Sequence, residues 1–292
     1  MRWEGDRQSD NVEDRRGDGG GGGGGFGFGG GTIGIGTIVI ALLGSWFFGV
    51  SPTTILSLLS GGGSAPQVQQ APAHPPANDR ETQFVRTVLG YTEDTWGQIF
   101  RANGASYQAP RLVLFSRQTG TGGCGAGQAA TGPFYCPADR KVYIDLSFFQ
   151  LMQQRFKVGG EFTQAYVIAH EVGHHVQNLL GISGKVDSAR RNLSESQANA
   201  MSVRLELQAD CFAGVWAYHT NQAKQIVQQG DIESALAAAS AIGDDALQRQ
   251  SRGEVVPDSF THGTSEQRVR WFTRGVQTGS VEQCNTFEAR QL

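Results

Sequence analysis

The stretch that decides the fold and chemistry of this chain is His170-Glu171-Val172-Gly173-His174. It lies in a run whose apolar or small residues recur every three or four positions, which predicts a helix. Residues four apart share one face of a helix, so His170 and His174 can bind one metal ion. Glu171 can reach a water held by that metal. The combination is typical of zinc peptidase sites, where the carboxylate takes the proton of the attacking water.

A third metal ligand is available further along, in Glu206-Leu207-Gln208-Ala209-Asp210. Catalytic zinc keeps three protein ligands and one open position. Glu206 and Asp210 share a face of a second predicted helix, and the small Ala209 and Gly214 let the two helices approach closely. We expect Glu206 to be the third ligand and Asp210 to accept the free ring N–H of a ligand histidine. The alternatives are a solvated acidic pair, and a core helix whose histidines bind backbone carbonyls.

A loop that opens a later helix carries a further histidine, in Thr261-His262-Gly263-Thr264-Ser265. His262 can stabilise the oxyanion of a tetrahedral intermediate, a role also open to Tyr166 or Tyr143. We expect Arg268 to brace Glu206 through a charge-assisted hydrogen bond. The alternative is a capping loop with a surface histidine.

Three other histidines are expected to stay outside the metal site. His175 is rotated by one residue from His174, so from an unbroken helix it cannot bind the same ion, and we expect it to support the ligands or to pack in the core. His219 lies too far along the second helix. His74 lies in a predicted linker.

Five blocks of sequence together carry a family resemblance: Gly132-Pro133-Phe134-Tyr135-Cys136-Pro137-Ala138-Asp139, Val142-Tyr143-Ile144-Asp145-Leu146-Ser147-Phe148-Phe149, His170 to Gln177, Glu206 to Gly214, and Thr261 to Ser265. They resemble the putative neutral zinc metallopeptidases of bacterial membranes and, more distantly, the gluzincin peptidases.

The resemblance covers about Met1 to Phe287. It implies that His170, His174 and Glu206 bind zinc and that Glu171 is the general base. It also implies a mostly helical α+β, zincin-like metallopeptidase domain whose small β-sheet has an edge strand that can hold an extended peptide.

Composition divides the chain into four parts. Residues 1–31 are polar and then almost pure glycine, which predicts a disordered tail. Residues 32–50 are uncharged and about long enough to cross a bilayer as one helix. Residues 51–78 form a Pro/Gly/Ser-rich linker. Residues 79–292 are long enough for one domain with a sizeable core.

Arginines lie before the apolar stretch, and no Lys or Arg follows it until Arg80. The positive-inside rule then predicts a single-pass membrane protein with a cytoplasmic N-terminus and an extracytoplasmic catalytic domain. A buried soluble helix and a cleaved signal peptide are the alternatives, and the long acidic region before the stretch argues against the second.

Within residues 79–292 the pattern predicts helices at 81–100, 147–157, 231–248 and 264–275, besides the two that carry the metal ligands. Short strands are predicted at 112–115 and 142–145. If the second strand lies at a sheet edge, its free backbone groups can pair with an extended peptide.

The four cysteines are even in number and lie on the predicted outer side, which indicates two disulfides. Cys124–Cys136 would close a short glycine-rich loop, and Cys211–Cys284 would tie the C-terminal segment to the Glu206 helix. Three pairings are possible. None of the cysteines shows the C-x-x-C spacing of a structural zinc site.

The sequence therefore predicts a membrane-anchored zinc endopeptidase that acts on extended or unfolded polypeptides. The 24 Lys and Arg nearly balance the 27 Asp and Glu, and no basic stripe indicates nucleic acid. One alternative is a non-catalytic envelope protein with a structural metal site, which would need a fourth protein ligand. Another is a zinc hydrolase that cleaves a non-protein amide.

Overall fold

The computed structural model describes residues 1–17, 79–128 and 132–292. The strands are β1 (Val12–Asp14), β2 (Arg111–Phe115), β3 (Gln118–Gly120), β4 (Ala126–Gln128), β5 (Phe134–Cys136) and β6 (Lys141–Asp145). The α-helices are α1 (Arg80–Ala102), α2 (Ser147–Phe156), α3 (Glu161–Leu179), α4 (Ile182–Arg190), α5 (Glu195–Lys224), α6 (Asp231–Ala241), α7 (Asp244–Arg252) and α8 (Ser265–Thr278).

The helices and one small sheet share a single large core. The sheet has the strand order β1-β2-β6-β5, with β1, β2 and β6 parallel and β5 antiparallel to β6. The strands β3 and β4 form a separate antiparallel hairpin. Side chains from α1, α3 and α5 fill the core, and Trp96, Phe162 and Trp216 are almost completely buried there. The predicted α+β, mostly helical fold is confirmed.

Small residues set the distance at which the central helices cross. A Cβ added at Gly173 of α3 would lie 3.0 Å from the carbonyl oxygen of Ala209 on α5. On the other side of α5, a Cβ at Gly275 of α8 would lie 2.1 Å from the carbonyl oxygen of Cys211. The small residues therefore bring α3, α5 and α8 close together, and these three helices carry most of the polar groups of the site.

Helix predictions in the domain agree with the structure except between 231 and 248. There the chain forms two helices, α6 and α7, which Gly243 separates. A Cβ at Gly243 would lie 2.3 Å from the backbone nitrogen of Ser265, so the break lets the chain pass close to the start of α8.

The prediction of a disordered tail over residues 1–31 is wrong for residues 1–17. These residues are part of the folded domain, where β1 pairs with β2, and Trp3 is buried with a relative exposure of 4%. The predicted span at 32–50 and linker at 51–78 lie outside the described residues. In the part of the chain that the structure does describe, none of the helices combines the length and the apolar character needed to cross a bilayer.

Candidate metal centre

The helix α3 places the H-E-x-x-H motif in the middle of the molecule. Its side chains from Phe162 to Gln177 are mostly buried, as the apolar spacing predicts. His170 and Glu171 are each 7% exposed, so two polar groups lie in the core, where each needs a partner. The crossing of Gly173 with Ala209 brings Glu206 and Asp210 of α5 opposite the two histidines.

Three candidate ligand side chains converge on one point. His170 Nε2 lies 3.2 Å from one oxygen of the Glu206 carboxylate, and His174 Nε2 lies 3.4 Å from the other. One ligand atom from each residue lies within 4.8 Å of the others. Among the described residues this is the one His, Cys, Asp and Glu group with such spacing. It has three members, so a bound metal keeps an open position, as a catalytic zinc does.

Asp210 fixes the ring of His170. Its Oδ1 accepts a hydrogen bond from His170 Nδ1 at 2.8 Å, which leaves Nε2 for a metal. The same oxygen accepts a bond from the Tyr166 hydroxyl at 2.6 Å. Arg268 donates from Nε to Oδ2 and from Nη2 to Oδ1, both at 2.9 Å. Arg268 was expected to brace Glu206. The structure corrects this: its guanidinium binds Asp210, one turn further along α5.

A neutral amide fixes the ring of His174. Its Nδ1 lies 2.9 Å from Oε1 of Gln177, which leaves Nε2 for a metal. The Gln177 amide nitrogen donates in turn to the carbonyl of Leu205 at 2.7 Å and to Oε1 of Gln208 at 3.1 Å. Gln177 is completely buried. Sequence reasoning missed this residue, although its position three residues after His174 on one helix was a signal for it.

Charges in the site favour cation binding. Burial opposes the ionisation of Asp210, but Arg268 and His170 outweigh it and lower the pKa of Asp210 to about 2. Burial likewise opposes protonation of His170, yet Asp210 and Glu206 raise the pKa of this imidazole to about 10. The buried carboxylate of Asp210 and the partly buried carboxylate of Glu206 thus attract a positive charge to this point, as a proton or as a metal ion.

Glu171 lines the cavity beside the three candidate ligands. The cavity has a volume of about 430 Å³, and His170, His174, Glu206 and His262 also line it. Burial raises the pKa of the Glu171 carboxyl above its ordinary value, and the neighbouring histidines only partly oppose this shift. A carboxylate with a raised pKa in a cavity is suited to take up and return a proton.

Asp244 holds His262 at the same cavity. Its Oδ2 accepts the backbone N–H groups of Thr261, His262 and Gly263 at 2.7, 2.6 and 3.0 Å. Its Oδ1 lies 3.3 Å from His262 Nδ1. Removal from water opposes protonation of His262, but Asp244 and the nearby charge of Glu206 outweigh it and raise its pKa. Sequence reasoning missed Asp244, because nothing local links it to a loop that follows α7.

The remaining histidines and Tyr143 have other partners. His175 Nε2 donates to the carbonyl of Gln108 at 2.6 Å, and its Nδ1 accepts from the Tyr135 hydroxyl at 3.0 Å. His219 bonds to the carbonyl of Gly279, and His74 lies outside the described residues. The suggestion that Tyr143 stabilises an oxyanion is wrong, because Tyr143 does not line the cavity; its hydroxyl donates to Asp139 and its ring stacks on Phe134.

The edge of the sheet beside the cavity is β5. The strand predicted at 142–145 is β6, which lies between β2 and β5. The condition under which this strand could pair with a peptide, a place at the sheet edge, is therefore not met. Phe134 and Tyr135 of β5 line the cavity. Among the described residues β5 pairs with β6 and with no strand on its other side.

Both suggested disulfides are present. Cys124–Cys136 joins the turn of the β3–β4 hairpin to β5. Cys211–Cys284 joins α5, one residue after Asp210, to the C-terminal segment. The bonds therefore fix the edge strand and the helix that carries Glu206.

Comparisons with known proteins show the family of the chain. The family model for "putative neutral zinc metallopeptidase" matches residues 1–287. The chain belongs to this family. It is 51% identical over 289 residues to the uncharacterized protein YpfJ of Escherichia coli K12, a match that covers 98% of this chain and 99% of that protein. It is 43% identical over 220 residues to the uncharacterized protein Rv2575 of Mycobacterium tuberculosis H37Rv, covering 72% and 73%. No solved structure matches.

Proposed function

We propose that this chain is a zinc-dependent endopeptidase. One observation carries the proposal: Nε2 of His170, Nε2 of His174 and the Glu206 carboxylate converge, while each Nδ1 is bound to a side-chain oxygen. Hydrogen bonds to Nδ1 orient both rings before a metal arrives. The family of the chain supports the same activity.

The donor set fits zinc. Two imidazole nitrogens and one carboxylate are the ligands of a common class of catalytic zinc sites, and the buried polar partners fix the geometry of the set. Zinc held here would lower the pKa of a water towards neutrality and polarise a substrate carbonyl. We propose His170, His174 and Glu206 as the zinc ligands.

Glu171 moves the proton. It lies one residue after His170 on α3 and lines the cavity into which the ligand atoms point. We propose that its carboxylate accepts a proton from the attacking water and then gives that proton to the amine of the leaving peptide. The raised pKa of the carboxyl suits both halves of this transfer.

His262 stabilises negative charge on the substrate oxygen. Asp244 and Thr261 bind its Nδ1. Among the described residues no hydrogen-bond partner of Nε2 is seen, so Nε2 is left for a group in the cavity. An imidazole that is already oriented before the reaction can donate a hydrogen bond to the substrate oxygen as negative charge develops on it. Asp244 is the positioning residue for this role, because it binds both the imidazole and the backbone of the loop. Tyr166 also lines the cavity, with its hydroxyl bound to Asp210.

The substrate is an extended polypeptide. A peptide that adds to the free side of β5 would run past Tyr135 towards the metal ligands, with its backbone groups paired to those of the strand. The cavity has apolar walls from Phe148, Val167, Ile242 and Leu247. We therefore expect an apolar side chain near the scissile bond.

We propose an extracytoplasmic location for the domain, attached to a membrane through residues 32–50. The two disulfides support an oxidising compartment. The uncharged apolar character of 32–50 supports lipid contact.

The test is cleavage of an unfolded protein by the purified full chain, with zinc content measured in parallel. Treatment with a chelator should abolish cleavage, and zinc should restore it. Two adjacent histidines provide matched variants: His174→Gln should lose both zinc and activity, whereas His175→Gln should keep zinc. A His174→Gln protein that keeps zinc and activity would refute the assignment. Zinc bound without cleavage of any unfolded protein would favour a structural site or a non-protein amide.

A further inference from the structure

The first residues of the chain are an integral part of the domain. Trp3 is buried, with its ring centroid 5.3 Å from that of Phe84 and the Arg80 guanidinium 5.0 Å above it. Ser9 is completely buried and donates to Glu93 of α1 at 2.6 Å.

The pairing of β1 with β2 continues this contact. Val12, Glu13 and Asp14 lie in parallel register with Leu112, Val113 and Leu114. The Glu13 carboxylate accepts bonds from Lys141 at 2.9 Å and from Arg111 at 3.1 Å. These cations outweigh the partial burial of Glu13 and lower its pKa to about 2.

The chain leaves the domain and returns to it at one point. Arg16 is nearly buried and donates to the Asp79 carboxylate at 2.8 Å and to the Thr82 hydroxyl at 2.6 Å. Asp79 is the N-cap of α1, where its side chain accepts the Thr82 N–H. An ion pair therefore joins the described residues on either side of positions 18–78.

A chain that crosses a bilayer once has its two ends on opposite sides. We infer that residues 1–17 lie on the same side of the membrane as the catalytic domain. This inference differs from the arrangement expected from the sequence, in which the chain crosses the membrane once and its N-terminus is cytoplasmic. The inference rests on the contacts of residues 1–17 and does not depend on peptidase activity.

The arginines that led to the prediction of a cytoplasmic N-terminus have hydrogen-bond and ion-pair partners in the folded domain. Arg7 donates to the carbonyl of Gly90 at 2.8 Å and pairs with Asp94. Arg15 pairs with Glu13, and Arg16 pairs with Asp14 as well as Asp79. Their clustering before the apolar stretch follows from the packing of residues 1–17, so it is a poor guide to orientation.

The first test compares short epitope tags at the two ends of the full chain in bacterial spheroplasts treated with a protease. If both ends lie on the same side of the membrane, the protease should remove both tags or neither. Because the disulfides indicate an extracytoplasmic domain, we expect both tags to be removed. A soluble cytoplasmic protein must stay intact as a control. Removal of one tag with protection of the other would overturn the inference.

The second test probes the contact itself by charge exchange in the full chain. Glu13→Lys and Lys141→Glu should each lower the melting temperature, and the double variant should recover part of the loss, because Arg15 and Arg111 still lack their partner. Asp10→Lys, at an exposed position in the same segment, is the matched control and should have little effect. Additive losses with no recovery, or a Glu13→Lys protein as stable as the control, would contradict the pairing across β1, β2 and β6.

Discussion

Arg268 and Asp210 form a buried two-bond pair, with both donor–acceptor distances at 2.9 Å and both side chains at most 4% exposed. Asp210 Oδ1 also binds the Nδ1 of His170. The ion pair thus holds the acceptor that sets the direction of a metal-binding nitrogen. A contact between α5 and α8 becomes part of the metal site through this one carboxylate.

Asp210→Asn should weaken zinc binding while leaving the three ligands in place. The amide keeps the size of the side chain but cannot balance the guanidinium, and loss of such a partner costs about 10–100-fold in metal affinity. Because Arg268 then stays buried without a counter-charge, we also expect about 3–5 kcal/mol of destabilisation. Competition with a zinc chelator and chemical unfolding measure the two effects. Unchanged zinc affinity would show that Asp210 does not orient His170.

Zinc affinity should rise with pH. In the metal-free protein Asp210 and Glu206 raise the pKa of His170 to about 10, so a metal must displace a proton at neutral pH. One displaced proton corresponds to about a tenfold gain in affinity per pH unit. Titration at pH 6, 7 and 8, with proton release measured in two buffers, checks this. Affinity that is constant over this range would contradict it.

His175 should make the protein lose stability in mild acid. Its burial opposes the charged form and lowers its pKa to about 4, although the Gln108 carbonyl favours protonation. In the unfolded chain this imidazole keeps its ordinary pKa. The contribution of His175 to the free energy of unfolding is therefore complete above about pH 6.5, and it is lost as the pH falls from there to about 4. Unfolding by urea across this range should show a free energy of unfolding that falls more steeply with decreasing pH in the wild type than in His175→Phe, by the share of one histidine. Equal slopes would refute the assignment.

Gly275→Ala should destabilise the crossing of α5 and α8. The added methyl group would overlap the Cys211 carbonyl, and such overpacking costs about 1–3 kcal/mol. Gly97→Ala in α1 is the matched control, because its Cβ meets nothing within 4 Å. Alanine there should be neutral or stabilise by up to about 1 kcal/mol. Thermal unfolding distinguishes them, and equal effects would show that the close approach is unimportant.

The local part of the site could be predicted from the sequence. His170, His174 and Glu206 follow from four-residue spacing on two helices and from the small residues that let these helices approach. Arg268 could not be placed in this way. Whether Arg268 binds Asp210 or Glu206 depends on how α8 crosses α5, and the sequence pattern does not specify that crossing.

The N-terminal segment escaped prediction for a similar reason. Residues 1–17 are mostly polar and precede a glycine tract, so their composition indicates disorder. Trp3 and Val12 become buried only because α1 and β2 supply partners that lie 81 and 100 positions later. Contacts at such sequence separations leave no local periodicity.

The measurement that tests the central claim most directly compares the full chain with its Glu171→Gln variant. The amide is close in size to the carboxylate but cannot accept a proton. Both proteins should bind one zinc per chain with similar affinity, and the wild type alone should cleave an unfolded polypeptide. A Glu171→Gln protein that cleaves at the wild-type rate would contradict the account, as would a wild type that binds no zinc.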